Sequence, residues 1–250
     1  MRTCVVIPFY RHEQALPEVL ARLRALNLEL SCFVVDDGSG PGCAPLLDRL
    51  EASEQGWLRV LRLPENGGKG VATMAGFAAA ADAGYDYAIQ LDADGQHRIE
   101  DIPRFLEQSR RRPDAVIAGV AVYDASVPRN RLYGRYVTHF WVWVNTLSLA
   151  IRDSMCGFRL YPLPPALAAW RTMRAGRRMD FDTEILVRLF WAGVPVVNLP
   201  TQVSYPSDGV SHFDLWRDNL RISWMHARLF VAMLPRLPWL LTRRLRGLPP

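Results

Sequence analysis

The sequence predicts an α/β domain, a mostly parallel sheet with helices on both faces, followed by an amphipathic helical segment at the C-terminal end. Three observations predict it. Apolar runs of strand length alternate with helix-like segments. Glycines and polar residues collect directly after four successive runs. Half of the 250 residues are hydrophobic, and no internal repeat or low-complexity linker splits the chain.

Strands are expected over residues 4–7, 32–35, 58–63, 87–91 and 115–120. The first helix is expected over 13–26, where Leu16, Val19, Leu20 and Leu23 form a stripe at helical spacing. The alanine-rich stretch 68–83 is a second helix, suited to close packing. Strands that alternate with helices favour parallel pairing, with ligands bound beyond the carboxyl ends of the strands. Pro8-Phe9-Tyr10 follows the first strand, Asp36-Asp37-Gly38-Ser39 the second, Asn66-Gly67-Gly68-Lys69-Gly70 the third and Asp92-Ala93-Asp94 the fourth. These residues are therefore expected on one rim.

Asp92-Ala93-Asp94, with Gln96 and His97 just beyond, places two carboxylates and an amide oxygen where a buried strand opens into a loop. Oxygen ligands of this kind suit Mg²⁺ or Mn²⁺, which take further ligands from water and substrate phosphates. An Asx-rich turn with solvated acids is the competing reading. Asn66-Gly67-Gly68-Lys69-Gly70 is not a P-loop, because Gly70 stands where Ser or Thr is needed after the lysine. A dinucleotide fingerprint fails too, since Pro8-Phe9-Tyr10-Arg11 follows the first strand. A glycine-rich turn opening a helix remains, its free N–H groups and Lys69 available to an anion or to a donor's base. A purely structural turn is the alternative.

The net charge is +5, and Lys69 is the sole lysine. The four cysteines show no Cys-x-x-Cys spacing, so neither a zinc site nor a disulfide framework is indicated. No apolar run is long enough for a spanning helix, and the first residues lack a signal-peptide run, so a cytoplasmic protein is expected. Residues 216–250 carry seven arginines against Asp218 alone, interleaved with Trp224, Leu229, Phe230 and Trp239. Such a segment either lies in a membrane interface or packs on the domain ahead of a basic tail. The expected division is 1–212 for the main domain and 213–250 for this segment. Basic residues that alternate with bulky apolar ones argue against nucleic-acid binding.

With these residues placed, the chain resembles family 2 glycosyltransferases of the GT-A fold, in particular their dolichyl-phosphate mannose synthase-like branch. The resemblance rests on Val5-Val6-Ile7-Pro8-Phe9-Tyr10, Val34-Val35-Asp36-Asp37-Gly38-Ser39, Asn66-Gly67-Gly68-Lys69-Gly70, Leu91-Asp92-Ala93-Asp94-Gly95-Gln96-His97, Asp153-Ser154-Met155-Cys156-Gly157-Phe158-Arg159 and Phe181-Asp182-Thr183-Glu184. It implies that Pro8, Tyr10, His12, Asp37, Lys69, Asp92 and Arg159 serve the nucleotide-sugar donor, and that Asp94 and Gln96 hold a divalent ion. His12 stands in Arg11-His12, where many members have Asn-Glu. No arginine follows the fifth strand closely, so phosphate or acceptor contacts fall to Arg129, Arg131 or Arg135, with His212 in place of a common lysine. The implied activity is metal-dependent, inverting transfer of a sugar from a UDP- or GDP-linked donor to a lipid-linked acceptor, by a peripheral enzyme at the inner face of the cell membrane. Homo-oligomerisation through the apolar tail is possible on the same composition. A nucleotide-sugar pyrophosphorylase and a non-catalytic membrane-binding scaffold are the alternative classes.

A hydroxyl acceptor needs a base, and a phosphate acceptor does not. Asp182 and Glu184 are the candidate bases. Two positions apart on a helix, they point about 200° from each other. Glu184, with Arg188 four residues on, also reads as a surface ion pair, and Asp182 lies on the side of Leu186 and Leu189, nearer the core.

Overall fold

The computed structural model describes residues 1–54, 56–123, 129–173, 176–204 and 215–245, with backbone alone at 129–133, 215, 244 and 245. Seven strands form one sheet: β1 (Thr3–Phe9), β2 (Ser31–Asp36), β3 (Leu58–Arg62), β4 (Tyr87–Gln90), β5 (Val116–Tyr123), β6 (Arg159–Pro162) and β7 (Val196–Val203). Their order is β3-β2-β1-β4-β6-β5-β7. The β1–β2, β2–β3, β1–β4 and β5–β7 pairs are parallel. β6 runs antiparallel to both β4 and β5, so the sheet is mostly parallel, as expected, with one reversed strand. Arg159-Leu160-Tyr161-Pro162 is too short and too polar at its ends to stand out as a strand. β7 contains Pro200, which reads against a strand. It is tolerated because β7 is an edge strand, where a proline can stand without breaking a ladder on both sides.

The helices are α1 (Leu16–Ala25), α2 (Ala44–Ser53), α3 (Lys69–Asp82), α4 (Ile102–Arg111), α5 (Arg129–Thr146), α6 (Leu163–Arg171), α7 (Phe181–Trp191), α8 (Leu215–Met233) and α9 (Leu237–Leu245). α1 starts later than expected, with Pro17 in its first turn, where a missing N–H costs nothing. The alternation along β1 sorts two cores. Cys4 and Val6 face one, with α3, α6 and α7; Val5 and Ile7 face the other, with α1 and α4. α3 lies close on the sheet because Gly76 has no side chain: a Cβ there would meet Val6 Cγ1 at 2.4 Å.

The C-terminal segment belongs to the first core. Met225, Leu229 and Met233 of α8 and Leu240 of α9 are buried in it. One face of this segment is thus packed on the domain. All four cysteines are buried free thiols.

Candidate active site

β1 to β4 are mutually parallel, so their carboxyl ends open on one edge of the sheet, as the alternation implies. Asp37, just past β2, is buried, and its two carboxylate oxygens accept from Gly67 N and Gly68 N, each at 2.8 Å. Burial pushes the Asp37 carboxyl up, and those two N–H groups oppose the rise. Gly70 N donates to Arg177 O at 2.8 Å. The expectation of free N–H groups is therefore corrected at three positions: the amides of Gly67, Gly68 and Gly70 are bound within the protein. Gly68 has φ +98°, and a Cβ there would strike Arg178 Cγ at 2.5 Å, so glycine is required on both counts. Arg178 in turn donates to Asn66 Oδ1 at 2.7 Å.

Lys69 leaves this turn pointing at two acids. Its Nζ lies 2.7 Å from Asp92 Oδ1 and 2.7 Å from Asp182 Oδ2. Gln90, the last residue of β4, donates to Asp182 Oδ1 at 2.7 Å, and His97 Nε2 lies 3.5 Å from Asp92 Oδ2. Burial disfavours the Lys69 ammonium, but the two facing carboxylates outweigh it and hold its pKa above the usual lysine value. Burial likewise opposes ionisation of Asp92, and the charge on Lys69 with the hydrogen bond from His97 overrides it, holding its carboxyl well below the usual range. Gly157 closes over the pair: a Cβ there would meet Asp92 Oδ2 and Lys69 Nζ, both at 2.6 Å.

Asp94 is different. It is half-buried, its Oδ1 accepts from Gln96 N at 3.0 Å, and among the described residues no cation pairs with it. The Gln96 side-chain amide makes no hydrogen bond among the described residues. Asp92 is already neutralised and Asp94 is not, so an uncompensated carboxylate and a free amide oxygen lie two residues apart. That donor set fits a hard divalent cation.

Pro8 and Tyr10 lie half-buried at the end of β1, and Arg11 stacks on the Tyr10 ring at 5.1 Å. His12 starts the turn into α1, its carbonyl accepting from Leu16 N. Arg159 departs from its expected donor role. It is fully buried in β6, donating to Asp182 O at 2.5 Å, Ser154 O at 2.6 Å and Tyr161 Oη at 3.1 Å. It is a strut beneath the start of α7, beyond reach of a ligand. Glu184 corrects the surface ion-pair reading: it is 0 % exposed, paired to Arg188 at 2.7 Å and to Arg228 of α8 at 3.2 Å. Asp182, as its helical side implies, is buried. It nevertheless joins the rim because Lys69 reaches across to it.

Arg135 of α5 is bound to Asp153 and stacks on Tyr123 at 5.2 Å. Asp153 also accepts from Ala121 N, Met155 N and Cys156 N and lies 3.6 Å from His139. Burial opposes its ionisation; the nearby His139 ring and the charge on Arg135 hold the Asp153 carboxyl far below the usual range. The side chains of Arg129 and Arg131, and all of His212, lie outside the described residues. The sequence reading gave no role to Gln90, Arg178 or Arg228, and quoted Asp153 only as part of a motif. A glutamine inside the apolar run 87–91 was a signal, because a buried amide demands a partner. Nothing local marks Arg228.

A profile described as "Glycosyl transferase family 2" matches residues 4–182. Polyprenol monophosphomannose synthase of Mycolicibacterium smegmatis is 31 % identical over 223 residues, covering 84 % of this chain and 80 % of that protein. Undecaprenyl-phosphate mannosyltransferase of Micrococcus luteus is 28 % identical over 207 residues, covering 80 % and 82 %. Among solved structures, glucosyl-3-phosphoglycerate synthase of Mycobacterium tuberculosis with Mn²⁺ and UDP-glucose superposes with a TM-score of 0.65 at 14 % identity, over 94 % of this chain and 78 % of that one. The sheet, the rim and these matches agree: the chain belongs to glycosyl transferase family 2 and is a GT-A glycosyltransferase of the dolichyl-phosphate mannose synthase-like branch.

Proposed function

We propose that this enzyme moves a hexosyl group from a nucleoside diphosphate sugar to the phosphate of a polyprenyl monophosphate, with inversion. One observation carries the choice of acceptor: neither candidate base is at liberty. Asp182 is clamped by Lys69 and Gln90, and Glu184 is enclosed by Arg188 and Arg228. A carboxylate with both oxygens already engaged must give up an existing contact before it can take a proton from a substrate hydroxyl. A phosphate monoester is already ionised and needs no base. Its oxygen would attack the anomeric carbon as the bond from that carbon to the diphosphate oxygen breaks. The nucleoside diphosphate leaves with the electron pair, and one displacement inverts the centre. The names of the two relatives support the same acceptor class.

Asp94 and Gln96 would hold Mg²⁺ or Mn²⁺, which supplies positive charge to the departing diphosphate when bound. Lys69 fixes Asp92 behind them. Pro8, Tyr10 and His12 would border the donor's base, and Asp37 shapes that pocket by binding the glycine turn. Arg135, beside Tyr123, would meet the acceptor phosphate together with Arg129, Arg131 and His212. Access to a polyprenyl chain implies work at a bilayer surface, and we place the enzyme peripherally on the cytoplasmic side. Among the described residues no helix is long and apolar enough to cross a membrane.

The test supplies labelled GDP-mannose or UDP-glucose and Mn²⁺ to the enzyme with undecaprenyl phosphate in detergent micelles. Label should pass to the organic phase with the phosphate and not with undecaprenol. Pyrophosphate-dependent release of nucleoside triphosphate without glycolipid would instead favour the nucleotidyltransferase reading.

A further inference from the structure

The residues from Gly176 to Asp182, which lead into α7, lie along the glycine turn 66–70 and meet it at several points. Arg177 O accepts from Gly70 N at 2.8 Å. Arg178 Nη1 donates to Asn66 Oδ1 at 2.7 Å, and its Nη2 donates to Asn66 O at 3.3 Å. The Arg178 stem crosses Gly68, where a Cβ would meet Arg178 Cγ at 2.5 Å and Arg177 O at 2.6 Å. Phe181 packs on Gly70, 2.7 Å from where a Cβ would stand. Asp182 Oδ2 then lies 2.7 Å from Lys69 Nζ. Asp37 supplies the other grip on the turn, accepting from the amides of Gly67 and Gly68. Carboxylate and guanidinium thus divide the turn: Asp37 takes its N–H donors, and Arg178 takes the oxygens of Asn66. The segment is itself fixed. Arg178 N donates to Asp180 Oδ1 at 3.1 Å, and Gly176 lies so close on Glu184 that a Cβ would meet Oε2 at 2.4 Å.

We propose that Arg178 is a positioning residue for the donor site: by gripping Asn66 it registers the glycine turn against the start of α7, and that register decides where Lys69 holds Asp92. The role rests on the donor site proposed above, and it belongs to a residue that shapes this site without touching the donor. Both arms of the Arg178 fork are spent on Asn66. The two ends of the contact explain its reach. Arg178 and Asp182 sit on one segment, Asn66 and Lys69 on the other, so Arg178–Asn66 and Lys69–Asp182 are two rungs between the same pair of segments. A planar fork on two oxygens of one residue fixes direction as well as distance, which a lysine ammonium does not. With the first rung lost, the turn is free to pivot about the second, and Lys69 carries Asp92 with it. Asp94 and Gln96 follow Asp92 in the same loop, so their oxygens shift relative to the donor's diphosphate. A displacement of about 1 Å in such a set costs up to about a hundredfold in rate.

Arg178→Met keeps the stem over Gly68 and removes both hydrogen bonds to Asn66, whereas Arg178→Lys restores one. The full chain with Mn²⁺ is titrated with GDP-mannose and with UDP-glucose by isothermal calorimetry, and turnover is followed with undecaprenyl phosphate in micelles. Wild type should bind one of the two donors. Arg178→Met should weaken that donor by about tenfold or more and raise its KM alike, with the KM for undecaprenyl phosphate kept within about twofold. Arg178→Lys should return to within about threefold of wild type. Asn66→Ala should match Arg178→Met, and the double variant should bind no more weakly than either single one, because both remove the same contact. If Arg178→Met does not fold, Asn66→Ala, which leaves the arginine in place, gives the same comparison. A lower Tm for the variants with donor affinity unchanged would mark the contact as structural only and overturn the proposal. So would additive losses in the double variant, or a loss confined to the acceptor's KM. A wild type that binds neither donor would overturn the donor-site reading and the role of Arg178 with it; donor binding equal in wild type and variants overturns the role of Arg178 alone.

Discussion

Lys69→Met removes the cation that bridges Asp92 and Asp182 while keeping most of the side chain's volume. Lys69 is 2.7 Å from each carboxylate, and the side chains are 17 %, 22 % and 7 % exposed in the order Lys69, Asp92, Asp182. At such burial, breaking an ion pair from one side costs about 3–5 kcal/mol. For a chain of this size that corresponds to a Tm lower by about 6–20 °C. The pH dependence gives the sharper signature. In the wild type the folded-state pKa of Asp92 is depressed. Its contribution is complete above the unfolded value of about 3.9 and disappears as pH falls through the lower folded value. Without Lys69, two buried carboxylates face each other, and burial with like charge raises the folded pKa of the pair. The folded variant then binds more protons than its unfolded chain, so its stability rises as pH falls from about 7 to about 5. Urea unfolding at both pH values measures this. A loss under about 1 kcal/mol, or one equal at both pH values, would refute the reasoning and mark the cluster as solvated.

Four further outcomes follow from the same geometry. Asp94→Asn should abolish the Mn²⁺-dependent thermal shift given by a nucleoside diphosphate sugar, yet move the apoprotein's stability by no more than about 0.5 kcal/mol, because among the described residues Asp94 has no cationic partner to lose. Glu184→Gln should cost about 2–4 kcal/mol in urea unfolding by leaving Arg188 and Arg228 underpaired. Its turnover on a phosphate acceptor should stay within about threefold of wild type, since a base's role would be worth about a hundredfold or more. Gly157→Ala should lower kcat by about tenfold or more, as the added methyl must displace Asp92 or Lys69. His226 has its pKa lowered by burial to about 4, so the unfolded chain binds more protons below pH 6.5. Stability should therefore fall by about 2–4 kcal/mol as pH drops from about 7 to about 4. His226→Gln should lack this part of the slope in pH-dependent urea titrations.

The strand alternation and the rim were legible because each of β1 to β4 ends in residues whose chemistry differs sharply from the run before them. β6 escaped because four residues beginning with an arginine carry no periodic signal. Its reversal depends on the β4 and β5 backbones on either side. Asp94 and Gln96 stand out by spacing, an acid and an amide two residues apart after a buried strand; that they hold an ion is our proposal. Arg159 could not, because an arginine near a motif reads as a ligand contact until tertiary structure shows it enclosed. Glu184 failed similarly: its i+4 arginine suggested a solvated pair, and only the docking of α8 brought Arg228 over it. The mixed basic and apolar residues of α8 were present in the sequence. Which side packs on the core is decided by tertiary contact alone.

The bond formed on the acceptor is the most direct measurement of the account. Phosphorus NMR of the glycolipid produced from undecaprenyl phosphate should show the acceptor's monoester signal replaced by a phosphodiester, with sugar C1 coupled to that phosphorus. A product that keeps the monoester signal and carries its sugar on another oxygen would contradict it.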